Sequence, residues 1–110
     1  MARNYGTSSQ RGRWAETLAL EYLQDQGLIL LTRNFHARCG EIDLIMEDDG
    51  IIVFCEVRYR VNNRYMHALE SIDARKCAHI INAGRYYLQS HREASKKTCR
   101  FDVMAIHGPA

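Results

Sequence analysis

The sequence of 110 residues contains no apolar run approaching the roughly 18 residues that a membrane-spanning helix requires. Its longest apolar candidate, residues 51–55, has the length of a β-strand. Residues 1–13 are polar and basic without a hydrophobic stretch, so we do not expect a secretory signal there. The contents of 46% hydrophobic and 25% charged residues are typical of one ordinary globular domain.

A Cys-x-x-Cys spacing is also absent from the sequence. The four cysteines are Cys39, Cys55, Cys77 and Cys99. Without that spacing or an export signal, they are expected to be reduced thiols of a cytoplasmic protein. A zinc site could be assembled, with the ligands His36, Cys39, Cys77 and His79. Its spacings do not match the common structural-zinc patterns, so zinc is the less favoured interpretation.

The formal net charge of +2 gives by itself no indication of the partner, but the charges are unevenly distributed. Residues 14–57 hold 2 arginines and 9 acidic residues, whereas residues 58–100 hold 10 basic and 3 acidic residues. Twelve of the 15 basic residues are arginine, whose planar guanidinium suits phosphate groups. This distribution excludes a uniformly basic binder and fits an acidic segment beside a basic one.

Hydrophobic periodicity predicts an α/β domain with the element order α-β-β-β-α-β. In residues 14–26 the apolar positions recur at helical spacing, and Gly27 is expected to end that helix. A second helix is predicted to run to residue 89 from a cap at Ser71 or Asp73. The strands are predicted at residues 28–35, 41–47, 51–59 and 100–106.

The remaining segments show no periodicity and are predicted to be irregular. Residues 60–70 and 92–98 are expected to be loops, and residues 1–12 a flexible basic arm. Residues 13–107 would then form a single domain, because no repeat, linker or low-complexity segment divides them.

The dipeptide Asp49-Gly50 predicts a tight hairpin between the second and third strands. With a two-residue loop there, the numbers of directly opposed residues sum to 99, so Asp43 faces Glu56 and Glu41 faces Arg58. Because side chains alternate along a strand, these four lie on one face. The other face is uniformly apolar and must be core; it carries Ile42, Leu44, Met46, Val53, Cys55 and Val57.

The opposed carboxylates are the most informative feature of this hairpin. Two ionised carboxylates at that separation destabilise a sheet unless a cation or a proton lies between them. Oxygen ligands suit Mg²⁺ or Mn²⁺, and a metal beside Arg58 could stabilise a phosphoryl transition state. The alternative from spacing alone is a solvated hairpin face on which Glu41 and Arg58 form an ordinary ion pair.

The motifs in and around the hairpin resemble those of a known protein family. Residues 40–45, Gly-Glu-Ile-Asp-Leu-Ile, and residues 53–58, Val-Phe-Cys-Glu-Val-Arg, resemble the PD-(D/E)XK nuclease motif. More narrowly, the sequence resembles the YraN-like family of small bacterial proteins, which are similar to archaeal Holliday-junction resolvases. The resemblance covers residues 12–106 and includes residues 12–16, 33–35, 76 and 100–103.

The resemblance implies a restriction-endonuclease-like fold, with a mixed central sheet flanked by helices, and metal-dependent hydrolysis of phosphodiester bonds. By position, Asp43 and Glu56 would be ligands of Mg²⁺ or Mn²⁺, and Glu16 a helix carboxylate that approaches the metal or its water. Arg58 stands where the wider nuclease class usually has lysine; it could bind a phosphate oxygen but not act as a base. Lys76 is a possible substitute cation if its helix crosses the site.

The leading hypothesis is therefore a Mg²⁺- or Mn²⁺-dependent DNA endonuclease that acts on branched DNA and has no membrane partner. Arg60 and Arg64, which are flanked by Tyr59 and Tyr65, are expected to bind nucleic acid together with Lys76. A homodimer would suit a four-way junction. Two alternatives remain open: a nucleic-acid-binding module without catalysis, which Arg58 motivates, and a protein-interaction domain.

Overall fold

The computed structural model describes residues 8–61 and 73–108, which form a mixed α/β fold. The elements in chain order are α1 (Ser8–Asp25), β1 (Ile29–Ala37), β2 (Gly40–Asp48), β3 (Ile51–Val61), α2 (Ala74–Ser90), α3 (Arg92–Ser95) and β4 (Cys99–Gly108). The predicted order α-β-β-β-α-β is confirmed. No helix among the described residues is long and apolar enough to cross a membrane.

The four strands form one sheet in the order β1-β2-β3-β4. β1, β2 and β3 pair antiparallel through short turns, whereas β4 pairs parallel to β3. A parallel pair needs a long crossover connection, and α2 lies in that connection. The mixed central sheet flanked by helices that the sequence predicted is therefore present.

Two predicted helix-end signals, Gly27 and Asp73, are present at the ends of the two long helices. Gly27, at φ 94°, ends α1 in the left-handed conformation, and Leu28 N donates to Leu23 O over 3.0 Å, as in a Schellman cap. Asp73 caps α2 by accepting a hydrogen bond from Lys76 N over 2.8 Å. The start of α1 differs, because the helix begins at Ser8 and includes part of the predicted arm.

One predicted loop contains a helix. Arg92–Ser95 forms a single helical turn, α3, within the segment 92–98 that was predicted to be irregular. Ala94 is buried against the cluster of residues beneath α2. A single turn that buries one small residue is too short to produce a periodic pattern, so this segment has no detectable helical periodicity.

The register of the central hairpin agrees with the prediction. The pairs run from Asp48–Ile51 to Leu44–Cys55, and each pair sums to 99. The turn residues Asp49 and Gly50 have φ of 48° and 85°, the backbone that a two-residue hairpin loop requires.

The sheet is covered by helices on both faces, and each face has its own apolar cluster. Leu44, Met46, Val53 and Cys55 pack with residues of α1, which confirms most of the predicted core face. Ile45 and Phe54, on the opposite face, are equally buried beneath α2. The central strands are therefore apolar on both faces, and the polar side chains of the hairpin are confined to its ends.

The expected alternation of side chains between the two faces of the sheet fails near the N-terminal start of β2. Ile42 belongs to the cluster beneath α2 and not to that of Leu44, so the prediction that these two share a face is wrong. The neighbouring strand β1 is distorted at the same level, because Asn34 has a φ of 56° and Phe35 pairs with Ile42. A residue in the left-handed region breaks the regular pleat of a strand, which sequence periodicity does not reveal.

Candidate active site

The candidate site lies where the hydrogen-bonded pairing of β2 and β3 gives way to a side-chain contact. The paired register stops at Leu44 and Cys55, and Asp43 Oδ2 then accepts a hydrogen bond from Val57 N over 2.8 Å. The predicted cross-strand pairs of Asp43 with Glu56 and of Glu41 with Arg58 thus lie beyond the paired segment. At this position the side chain of Asp43, and not a backbone carbonyl of β2, accepts the hydrogen bond from the backbone of β3.

Among the described residues, Glu56 is the only charged residue that is buried, with 4% of its surface exposed. It follows Cys55 on β3 and lies near the apolar cavity between α2, β3 and β4. A buried carboxylate is tolerated only when cations or hydrogen-bond donors compensate for the lost hydration. Two cations do so here.

Arg58 and Lys76 both contact the same oxygen of Glu56. Arg58 Nη2 lies 3.1 Å from Glu56 Oε2, and Lys76 Nζ lies 3.1 Å from that oxygen as well. Arg58 belongs to the same strand as Glu56, whereas Lys76 belongs to the first turn of α2. The helix that carries Lys76 therefore does cross the site, as a role for Lys76 requires.

Glu41 does not pair with Arg58 as the sequence suggested. Its side chain contacts His36 instead, with 3.0 Å between Glu41 Oε2 and His36 Nδ1, and the two residues are also paired across β1 and β2. The pairing of β2 with β3 stops at Leu44, whereas its pairing with β1 continues to Gly40, so Glu41 lies beside His36 and Arg58 contacts Glu56.

The environment of Asp43 raises the pKa of its carboxyl from 3.8 to about 7. Burial is the main cause, because it disfavours the charged form, and the negative charge of Glu56 adds to it. The hydrogen bond from Val57 N acts in the opposite direction by stabilising the carboxylate. Near neutral pH, Asp43 therefore readily takes a cation or a proton.

Glu16 lies on α1, and its electrostatic environment includes Asp43. Burial, followed by the charge of Asp43, raises the pKa of the Glu16 carboxyl. Arg33 Nε lies 3.5 Å from Glu16 Oε1, which is an ion-pair distance. That buried oxygen accepts no hydrogen bond. Arg33 is fixed by Thr17, because its Nη2 donates to Thr17 Oγ1 over 3.0 Å.

The contact of Arg33 with Glu16 was not predicted. Residues 33–35 contribute to the family resemblance, but that resemblance assigns no role to Arg33. An arginine in a strand that also carries Leu30, Leu31 and Phe35 was the available signal, because a charged residue among apolar ones usually needs a partner. Arg64 and the side chain of Arg60, both predicted to bind nucleic acid, lie outside the described residues.

The donor set fits a hard divalent cation held by two carboxylates. Asp43 and Glu56 supply the oxygen ligands that Mg²⁺ and Mn²⁺ prefer, and Mg²⁺ commonly uses only one or two protein carboxylates. In residues 8–61 and 73–108, no group of three or more His, Cys, Asp or Glu side chains is arranged to hold a metal. Glu16 is therefore not arranged as a third ligand beside Asp43 and Glu56. The four zinc ligands considered from the sequence do not form a metal-binding group either.

The fold is a four-stranded mixed sheet flanked by helices, which is compatible with a nuclease-like core. The chain belongs to the family described as "Uncharacterised protein family UPF0102", whose sequence model matches residues 15–106. This agrees with the resemblance to YraN-like proteins.

Curated relatives are similar over most of their length. A "UPF0102 protein" of Stutzerimonas stutzeri is 50% identical over 102 residues, which cover 93% of this chain and 85% of the relative. A "UPF0102 protein" of Nitrosococcus oceani is 51% identical over 100 residues, covering 91% of this chain and 81% of the relative. Similarity at this level establishes the family of the chain.

Proposed function

We propose that this protein is a metal-dependent endonuclease that hydrolyses phosphodiester bonds in DNA. The observation that carries the proposal is the pair of carboxylates, Asp43 and Glu56, placed where β2 and β3 part and flanked by Arg58 and Lys76. Carboxylates that can bind a divalent cation, beside fixed positive charges, suit the stabilisation of a phosphoryl transition state. The resemblance to PD-(D/E)XK nucleases points to the same chemistry.

Each side chain has a role in this proposal. Asp43 and Glu56 would hold Mg²⁺ or Mn²⁺, which supplies positive charge for the phosphoryl oxygens and a more acidic water. Glu16 would accept a hydrogen bond from water near the metal, since its Oε1 is buried without a hydrogen-bond donor. Arg58 and Lys76 both hold Glu56 in position, and one of these two cations would neutralise the charge that develops on the phosphate.

The substrate and assembly are part of the proposal as well. Branched DNA is the proposed substrate because the family resembles Holliday-junction resolvases, and a two-fold dimer would suit a four-way junction. Arg60, Arg64 and Lys76 are proposed to bind the nucleic-acid backbone. The four free thiols fit a protein of the reducing cytoplasm.

The proposal is tested by DNA cleavage in the presence of Mg²⁺ or Mn²⁺. Wild type should cut branched DNA, and linear DNA less well, whereas Asp43→Asn should lose at least about 100-fold in rate. The amide keeps an oxygen that can accept the bond from Val57 N, so the fold should survive. Asp25→Asn, an exchange at an exposed residue of α1, is the matched control. Equal cleavage by wild type and Asp43→Asn would remove the site.

A nucleic-acid-binding module without catalysis is the second candidate. It is favoured by Arg58, which takes the position of the usual lysine and already contacts Glu56. Such a module would bind DNA with a strong dependence on salt but would not cut it. A wild type that is inert while Arg58→Lys cuts would favour this candidate. A protein-interaction domain predicts no salt-dependent affinity for DNA.

A further inference from the structure

We propose that Lys76 is the catalytic cation of this site and that Arg58 is a positioning residue. The inference rests on the proposed nuclease function and assigns roles that the function alone leaves open. In the reaction, the Lys76 ammonium would contact a non-bridging oxygen of the scissile phosphate. Arg58 would act through Glu56, whose carboxylate it neutralises and holds.

The two cations contact the same oxygen of Glu56 but differ in how accessible their N–H donors are to a phosphate. Lys76 Nζ has three N–H donors, and Glu56 is its only ion-pair partner among the described residues, at 3.1 Å. Arg58 Nε is buried and has no hydrogen-bond partner, so part of that guanidinium is enclosed. The side chain of Lys76 is also the more exposed of the two, at 32% against 23%.

The position of Lys76 on α2 adds to its suitability. It lies in the first turn of a helix of 17 residues, where the positive potential of the backbone amides favours an anionic phosphate beside the ammonium. An ammonium is a compact charge on a flexible stem, so it can keep Glu56 and still reach a phosphate oxygen. Arg58 carries a planar guanidinium whose Nε is buried, so it has less freedom than an ammonium to approach a ligand above that carboxylate.

The chemical step requires no proton from either cation. A water oxygen forms a bond to phosphorus, one phosphorus–oxygen ester bond breaks, and its electron pair stays on the leaving oxygen. The water releases a proton to solvent, and the leaving oxygen takes one from solvent. Lys76 keeps its three protons and stabilises the negative charge that develops on the non-bridging oxygen.

The first test separates an ion-pair role of Lys76 from a catalytic one. Lys76→Arg keeps a cation for Glu56 but replaces the compact ammonium. We expect its single-turnover rate in Mn²⁺ to fall about 100-fold or more, with DNA affinity within about threefold of wild type. Thermal unfolding checks that the fold is kept. Lys96→Ala, which removes an exposed lysine, is the matched control and should cut normally.

The second test moves the amine from the helix to the strand. Lys76→Ala should be as slow as Lys76→Arg, and adding Arg58→Lys should recover at least about tenfold of the rate, because a lysine at 58 restores an ammonium beside Glu56. A structural role of Lys76 predicts no such recovery. A double variant as slow as Lys76→Ala would contradict the proposed division of roles.

The third test uses the metal alone and needs no cleavage. Removing the charge of Lys76 should tighten Mn²⁺ binding about tenfold, the effect of a unit charge about 6 Å from a divalent cation at a water-like dielectric. Binding is measured by electron paramagnetic resonance on Lys76→Ala and wild type. Unchanged Mn²⁺ affinity would overturn the inference.

The outcomes separate this inference from the function on which it rests. If wild type cuts, Asp43→Asn does not, and Lys76→Arg keeps the wild-type rate, the inference is overturned and the nuclease function stands. If wild type and Asp43→Asn are both inert in Mg²⁺ and Mn²⁺, the nuclease function fails and the inference fails with it.

Discussion

Replacing Asp43 with asparagine should change how the stability of the protein depends on pH. The folded state raises the pKa of this carboxyl from 3.8 to about 7, mainly by burial and then by the charge of Glu56. The folded protein therefore binds the Asp43 proton more tightly than the unfolded chain does. This contribution to stability is complete below about pH 4 and is lost as the pH rises through about 7.

The size of the effect follows from the same values. The interval from 3.8 to about 7, at 1.36 kcal/mol per pH unit, corresponds to about 4 kcal/mol. Asp43 shares its site with Glu56 and is not fully enclosed, so we expect about 2–4 kcal/mol to be realised. Asparagine carries no charge at any of these pH values and can still accept the hydrogen bond from Val57 N. The variant should therefore gain stability over wild type as the pH rises.

The measurement is urea unfolding of both proteins in EDTA at several pH values between about 5 and about 8. The free-energy difference between the variant and wild type should grow with pH and level off above about 7. Asp25→Asn should give a difference that does not change with pH, because Asp25 is exposed on α1. A flat difference for Asp43→Asn as well would refute the reasoning about this site.

Two further substitutions test the packing that positions the site. Gly40→Ala should cost about 1–3 kcal/mol of unfolding free energy, because its Cβ would lie 2.9 Å from the backbone oxygen of His79. Gly12→Ala, in α1 with nothing within 4 Å of the new Cβ, is the control and should not destabilise. Phe54→Ala should cost about 3–5 kcal/mol, because Phe54 is 1% exposed and stacks on Phe101 at 5.1 Å. Urea unfolding measures each, and a loss under about 1 kcal/mol for Gly40→Ala or Phe54→Ala would contradict the packing described.

The central hairpin was predictable because its signals are local. The turn residues Asp49 and Gly50 require a particular backbone, and that backbone fixes the register of every residue pair up to Leu44 and Cys55. The carboxylates and Arg58 follow by counting along two strands. The family resemblance then supplied Glu16, which no local pattern singles out.

The features that escaped prediction depend on contacts between distant segments. The left-handed Asn34 and the separation of β2 from β3 beyond Leu44 reverse the face of Ile42, although its sequence pattern is regular. The pairing of Glu41 with His36 depends on the same separation. Periodicity counts residues along one chain segment, so it cannot report where a neighbouring strand bends away.

The parallel connection between β3 and β4 has a consequence for the order in which the site is assembled. Glu56 is buried in the hairpin region, but one of its two cations is carried by the crossover helix. In an isolated hairpin that carboxylate would remain hydrated with only Arg58 beside it, because the elements that enclose it are α2 and β4. The hairpin can form early because its contacts are local, whereas the carboxylate is fully compensated only after α2 has docked. The charged site is therefore complete only when the tertiary structure has formed. A chain whose crossover helix has not packed on the sheet lacks the contact of Lys76 with Glu56.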